Sequence, residues 1–194
     1  MKLTWLTDIH LDFLELDARA AFYQEILNTN SDAILISGDI AHATCLVDIL
    51  NEIANVIQKP IYFVLGNHDY YKGQVSEVRK SILAQTQIHD RLFWLPALGI
   101  QKLTPNTILI GQDGWADGRL GDYQNSNVTL RDSRMITDLF QAKTLGKYQL
   151  LEKMQQLADA DALQLHNDLI KAVAQHPQQI IVLTKNELIK FLQF

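Results

Sequence analysis

The first ninety residues alternate short apolar runs with amphipathic helical patterns, and this alternation constrains the fold more than any other feature. The runs at residues 33–37 and 61–65 are almost entirely apolar, as expected for strands buried on both faces. A shorter β-type run lies at residues 2–7. The helical patterns cover residues 18–28, 46–57 and 75–83. An alternation of this kind predicts a parallel α/β sheet with right-handed crossovers.

After residue 90 the pattern changes to short strands joined by turns. Such strands are predicted at residues 93–95, 99–103 and 107–111. The Pro105-Asn106 pair between the last two predicts antiparallel, hairpin-like pairing. Residues 112–137 are rich in glycine and polar side chains, which predicts a long loop. A long helix is predicted from about residue 145 to residue 174, followed by an apolar strand at residues 179–184.

Chemically active residue types stand at the ends of three predicted strands. The first strand ends in Asp8-Ile9-His10, the second in Gly38-Asp39 and the third in Gly66-Asn67-His68-Asp69. In an open α/β sheet, functional groups gather in the crevice beyond the carboxyl ends of the strands. These residues lie far apart in the sequence, but they are therefore predicted to converge in space.

The residue types in this crevice favour a divalent metal ion. Carboxylate oxygens, an imidazole nitrogen and an amide oxygen suit manganese, iron or zinc better than calcium. A carboxylate between two such ions can bridge them, and the pair supplies hydroxide near neutral pH. His68 is a candidate acid for the leaving alcohol, and Asp69 a candidate for holding that imidazole in one tautomer. The candidate metal ligands are Asp8, His10, Asp39 and Asn67.

Taken singly, each motif also suits a structural role, such as a helix cap for Asp39 or a turn for Asn67. Together, ordered and at strand ends, they resemble the calcineurin-like metallophosphoesterase family, closely over residues 1–75 and more loosely beyond. The resemblance implies a two-sheet α/β sandwich with helices outside. It also implies hydrolysis of phosphomonoesters or phosphodiesters by a two-metal-activated hydroxide. The implied roles are Asp8 and His10 on the first metal, Asp39 bridging, Asn67 on the second and His68 as acid.

The C-terminal part of the chain departs from the family pattern. Where the family has a histidine after an apolar-threonine strand end, the predicted strand 179–184 is followed by Lys185, and no Gly-His-x-His sequence occurs. Lys185 adds positive charge where a cation should bind, or contacts a phosphate instead. His42 is the nearest histidine that could line the crevice, but it does not convincingly replace the missing ligands. With half of the family's metal-binding histidines missing, we expect one metal ion or none.

We expect residues 1–194 to form a single domain in which the C-terminal part of the second sheet is missing. Residues 185–194 are an atypical tail, as in a truncated or frameshifted member of the family. One hypothesis for function is a metal-dependent phosphoesterase with impaired activity. The alternative is a catalytically inactive remnant that binds at most one metal or acts as an interaction domain.

The composition excludes several other classes of protein. A net charge of −5 argues against a general nucleic-acid or anionic-membrane binder. The single cysteine, Cys45, rules out an internal disulfide and a cysteine-only metal site. No apolar stretch reaches the roughly 18 residues of a membrane-spanning helix. We expect a cytoplasmic protein whose partner is a phosphate-ester substrate, with no membrane or specific nucleic-acid partner. The sequence indicates neither the substrate's identity nor an oligomeric state.

Overall fold

The first sheet of the fold is built from the alternating pattern at the start of the chain. The structure, a computed structural model, describes residues 1–185 and the backbone of residues 191–193. The first sheet has four parallel strands in the order β1-β2-β3-β4. They are β1 Leu3–Leu6, β2 Ala33–Ser37, β3 Ile61–Val64 and β4 Leu92–Trp94. The predicted parallel α/β sheet is confirmed, whereas most of the predicted atypical tail lies outside the described residues.

Three helices connect these strands and pack on one face of the sheet. They are α1 Leu16–Asn28, α2 Leu46–Ile57 and α3 Val75–Ile88. In α2, every apolar residue at helical spacing along one face is buried, namely Leu46, Ile49, Leu50, Ile53, Ala54 and Ile57. Burying one Leu or Ile side chain contributes about 1.5–3 kcal/mol, so this face fixes α2 against the sheet.

One predicted strand belongs to a different sheet from the one expected. The run at residues 93–95 was expected among the hairpin-like strands, but β4 pairs in parallel with β3. At Leu95 the chain enters a short helix, α4 Leu95–Leu98. Pro96 lies in the first turn of this helix, where its missing N–H and fixed φ favour helix initiation. The change from parallel to antiparallel pairing therefore comes after α4.

The second sheet has four strands in the order β5-β6-β7-β8. They are β5 Gln101–Thr104, β6 Thr107–Gln112, β7 Gln179–Thr184 and β8 Phe191–Gln193. The predicted hairpin is confirmed, since β5 and β6 are antiparallel. β7 pairs in parallel with β6 and antiparallel with β8.

The two sheets pack face to face, and helices cover their outer faces. Apolar side chains from β2, β3, α4, β6 and β7 form the core between the sheets, namely Leu35, Val64, Leu95, Leu109, Ile181 and Leu183. The outer face of β6 and β7 packs on α7 Lys147–Val173, the long helix predicted from the sequence. The expected two-sheet α/β sandwich with helices outside is confirmed. Among the described residues, no helix is both long and apolar enough to span a membrane.

The predicted long loop is partly helical at its end. It contains α5 Asp132–Met135 and leads into α6 Thr137–Leu145. Within α6 only Leu139 is buried. A helix with so small a buried face has no amphipathic repeat by which the sequence could predict it.

A buried ion network, formed by Arg79, Asp113 and Asp161, ties this region to the first sheet. The guanidinium of Arg79 on α3 lies 3.1 Å from Asp113, after β6, and 2.8 Å from Asp161 on α7. Asp113 also accepts a hydrogen bond from the hydroxyl of Tyr70 at 2.7 Å. The side chain of Asp113 is fully buried, so its charge depends on these partners. We call this set the Arg79 network.

Candidate metal centre

The carboxyl ends of β1, β2 and β3 meet at one edge of the first sheet, as the strand order predicts. The N–H of Asp8 donates to the carbonyl of Gly38 at 3.2 Å, and the N–H of His10 donates to the carbonyl of Asp39 at 3.0 Å. Asp8, His10 and Asp39 have φ values of 52°, 39° and 53°, in the left-handed region that non-glycine residues rarely adopt. Strain of this kind is typical of functional sites, where the surrounding structure holds it in place.

Gly66, at the end of β3, is required by the close approach of Asp39. A Cβ atom built on Gly66 would overlap the carboxylate of Asp39. The absence of a side chain at this position therefore lets the carboxylate of Asp39 lie beside the third strand end.

Asp39 is the centre of the site. Its side chain is nearly buried, and its Oδ1 accepts a hydrogen bond from the backbone N–H of His68 at 3.1 Å. The Nε2 of His10 lies 3.9 Å from the Oδ2 of Asp39, and the rings of His10 and His68 are 4.7 Å apart. Ligand-type atoms of His10, Asp39 and His68 all lie within 4.8 Å of one another.

This group of three residues fits a divalent metal ion. The Nδ1 atoms of His10 and His68 are buried, and neither has a hydrogen-bond partner in the described part of the chain. Buried polar atoms normally have partners, so these two imidazole nitrogens have the capacity to bind a further ligand. Imidazole and carboxylate together suit zinc, manganese or iron. The sequence placed His68 outside the ligand set, whereas the structure places it within this group.

Asp8 is in a different situation, because a lysine is paired with it. The Nζ of Lys185, directly after β7, lies 2.5 Å from the Oδ1 of Asp8 and 3.1 Å from the Oδ2 of Asp39. Burial raises the pKa of Asp8, but hydrogen bonds from Lys185 and Thr7 outweigh this effect and lower the pKa overall. Burial likewise lowers the pKa of Lys185, and the two aspartates outweigh it and raise the pKa. With the ammonium in this position, Asp8 and Asp39 together do not fit a divalent ion.

A comparison with protein families bears on the convergence of the three strand ends. The family model described as calcineurin-like phosphoesterase matches residues 1–192. The chain belongs to the calcineurin-like phosphoesterase family. No curated protein and no solved structure matches the chain significantly. Membership confirms the family assignment made from the three strand-end motifs, and with it phosphoesterase activity and metal dependence as the properties of the family.

Asn67, a metal ligand according to the family resemblance, lies beside the central group of this calcineurin-like phosphoesterase. Its amide nitrogen donates to the Oδ1 of Asp132 at 2.9 Å. The hydroxyl of Tyr71 donates to the same oxygen at 2.6 Å. This orientation leaves the amide oxygen of Asn67, which is the ligand atom, directed away from Asp132. The sequence did not indicate Asp132, which is 65 positions from Asn67.

The contacts of Asp69 differ from those expected. Its Oδ1 accepts the N–H groups of Ile40 and Ala41 at 2.7 and 3.0 Å. Its Oδ2 accepts those of Asp39 and Gly66 at 2.8 and 2.7 Å. Burial raises the pKa of Asp69 to about 8, and the hydrogen bonds from the backbone N–H groups oppose this shift. Two N–H donors on each oxygen favour the ionised carboxylate over the protonated form. Within the described residues no hydrogen bond joins Asp69 to the imidazole of His68, so these contacts support a structural role that braces two strand ends.

His68 lies in an aromatic environment. Its ring stacks on Tyr71 at 4.3 Å, and the ring of His42 lies 6.2 Å away. The Nδ1 of His42 lies 3.1 Å from Asp12, which holds this imidazole at the border of the centre. Burial lowers the pKa of His68, and the charge of Asp39 opposes the shift.

A cavity of about 380 Å³ opens beside the centre. Its lining includes Asn67, Tyr71, Trp115, Arg131, Asp132 and Lys185. Two cationic side chains and two aromatic rings thus border a space that adjoins the metal group. The cavity is of the size that proteins use for small ligands.

Proposed function

We propose that this domain is a metal-dependent phosphoesterase whose centre is impaired. The observation that carries the proposal is the convergence of His10, Asp39 and His68 from three strand ends in a calcineurin-like phosphoesterase. The same residues would hold one divalent ion, and manganese, iron and zinc all suit them. When bound, such an ion polarises a phosphoryl oxygen and lowers the pKa of a water molecule.

The chain's own residues bind and orient a phosphate ester in this proposal. Arg131 and Lys185 border the cavity, and their positive charges attract a phosphate group. Tyr71 and Trp115 offer flat apolar surfaces for the organic part of the ester. Because Lys185 is already paired with two carboxylates, we expect turnover to be low.

His68 has two mutually exclusive roles in this geometry while an ion is bound. The sequence-based role is the acid that protonates the leaving alcohol, and this remains a prediction. The position of the imidazole beside His10 and Asp39 adds the role of metal ligand. As an acid, its replacement lowers turnover and leaves metal affinity unchanged. As a ligand, its replacement lowers both.

The experiment combines metal content with turnover. Bound manganese, iron and zinc are measured per chain, and hydrolysis of a chromogenic bis-aryl phosphate is followed with each metal added. We expect metal-dependent hydrolysis that His68→Asn abolishes. The matched control is His166→Asn, since His166 is exposed in the middle of α7. Absence of hydrolysis with every metal would contradict the proposal.

The second candidate function is the catalytically inactive domain. The specific observation that favours it is the ion pairing of Lys185 with both Asp8 and Asp39, which are two of the expected metal ligands. It predicts at most one bound metal per chain and no hydrolysis. Under both candidates, we propose that residues 1–194 form a single domain and that the protein is cytoplasmic.

A further inference from the structure

Lys185 makes an ion pair across the two sheets of the sandwich. It follows β7 in the second sheet, yet its ammonium reaches Asp8 and Asp39 at the ends of strands in the first sheet. The side chain of Lys185 is 12 % exposed and that of Asp39 is 5 % exposed. An ammonium has three donors and no acceptor, so one lysine can serve both carboxylates.

The charge balance of this cluster depends on the lysine. Two carboxylates at close range repel each other unless a cation lies near both. Lys185 supplies one positive charge to them, whereas a divalent ion would supply two. An ammonium and a divalent ion that both engage the Oδ2 of Asp39 would repel each other at short range in a poorly solvated site.

We propose that the ammonium of Lys185 is the resident cation between Asp8 and Asp39, and that it competes there with a divalent metal ion. Asp8 is then not a metal ligand in this chain, and any ion bound by the group of His10, Asp39 and His68 binds against the charge of Lys185. The inference rests on the proposed function in one respect, namely that the centre has affinity for a divalent ion.

The variant Lys185→Met tests this competition, because it keeps the length of the side chain and removes the charge. Affinity for Mn²⁺ is measured by isothermal titration calorimetry on the full chain. We expect Lys185→Met to bind Mn²⁺ at least about tenfold more tightly than the wild type. The control Lys80→Met removes the same charge from the exposed side of α3 and should leave the affinity unchanged.

Asp8→Asn then shows whether Asp8 has become a ligand. In the wild-type background we expect it not to weaken Mn²⁺ binding, because Asp8 is occupied by Lys185. In the Lys185→Met background we expect it to weaken binding at least about tenfold, since a released carboxylate joins the ion. Weaker binding of Asp8→Asn in the wild-type background, or no gain from Lys185→Met, overturns the inference.

Thermal denaturation gives a second readout that does not need activity. Without metal, Lys185→Met leaves two carboxylates uncompensated, so its melting temperature should fall, and Mn²⁺ should raise it more than in the wild type. If Lys185→Met does not fold without metal, refolding in Mn²⁺ and the charge-balanced variant Lys185→Met/Asp8→Asn replace it.

The outcomes separate this inference from the proposed function. Tighter binding in Lys185→Met together with no hydrolysis by any variant supports the inference and contradicts the proposed function. Mn²⁺-dependent hydrolysis by the wild type together with unchanged affinity in Lys185→Met supports the proposed function and overturns the inference.

Discussion

Replacement of Asp69 by asparagine tests whether this residue braces the site or serves its chemistry. The carboxylate of Asp69 accepts four backbone N–H groups at 2.7–3.0 Å, from the ends of β2 and β3. The side chain is fully buried. Asparagine has the same shape but one acceptor oxygen, and its NH₂ group would face two of the N–H donors.

The magnitude follows from the number of bonds lost. Asp69→Asn keeps two of the four hydrogen bonds and loses two. Because burial raises the pKa of Asp69 to about 8, the comparison is made above that pH, where the carboxyl is ionised. Each bond to a charged acceptor contributes about 1.5–3 kcal/mol, so we expect the free energy of unfolding to fall by about 3–6 kcal/mol. Native proteins have about 5–15 kcal/mol of stability in total, so this loss brings the domain close to unfolding.

The assay is urea unfolding followed by tryptophan fluorescence and circular dichroism. At an m-value of about 2–3 kcal/mol per M, the midpoint should shift downward by at least about 1 M. Asp90→Asn is the control, because the side chain of Asp90 is 82 % exposed, and we expect a change within about 0.5 kcal/mol. If Asp69→Asn unfolds at the wild-type midpoint but has lost turnover, the bracing role is refuted and a catalytic role through His68 is favoured.

Three further predictions concern the site and its support. Gly66→Ala places a methyl group on the carboxylate of Asp39, so Mn²⁺ affinity measured by calorimetry should fall at least about tenfold, and an unchanged affinity would contradict this packing. Arg79→Met leaves the two aspartates of the Arg79 network buried without a cation, so urea unfolding should show a loss of about 3–5 kcal/mol, and a loss under about 1 kcal/mol would show that the network is not needed. Because the pKa of Asp8 is lowered in the folded protein, its pairing with Lys185 contributes its full stability at pH values above 3.8, the ordinary pKa of an aspartate. This stability is lost as the pH falls through the lowered pKa. The difference in unfolding free energy between wild type and Lys185→Met should therefore narrow at acidic pH, and a constant difference down to about pH 3 would argue against the pairing.

The strand ends could be predicted from the sequence because each one is marked by residues that are adjacent in the chain. An apolar run followed by Gly-Asp or Gly-Asn-His-Asp identifies both a parallel strand and its carboxyl end, and parallel strands place those ends on one edge. The central position of Asp39 and the short distance from His10 to Asp39 follow from this parallel arrangement of the strands. The sequence also indicated that Lys185 opposes a metal ion.

The partners of these residues could not be predicted, because they come from distant parts of the chain. Lys185 is 177 positions from Asp8, and only the packing of one sheet on the other brings them together. Asp69 adjoins His68 in sequence, which suggested a shared role. The 3₁₀ turn His68–Tyr70 instead directs the carboxylate toward the backbone that follows β2 and β3. Likewise, no local pattern connects Asp132 with Asn67.

The most direct test of the central claim is a crystal structure of the full chain grown in MnCl₂, with data collected at the manganese absorption edge. We predict one anomalous peak within coordination distance of His10, Asp39 and His68, with the ammonium of Lys185 still between Asp8 and Asp39. No peak beside His10, Asp39 and His68, or a peak bound by Asp8 while Lys185 stays paired with both carboxylates, would contradict the account.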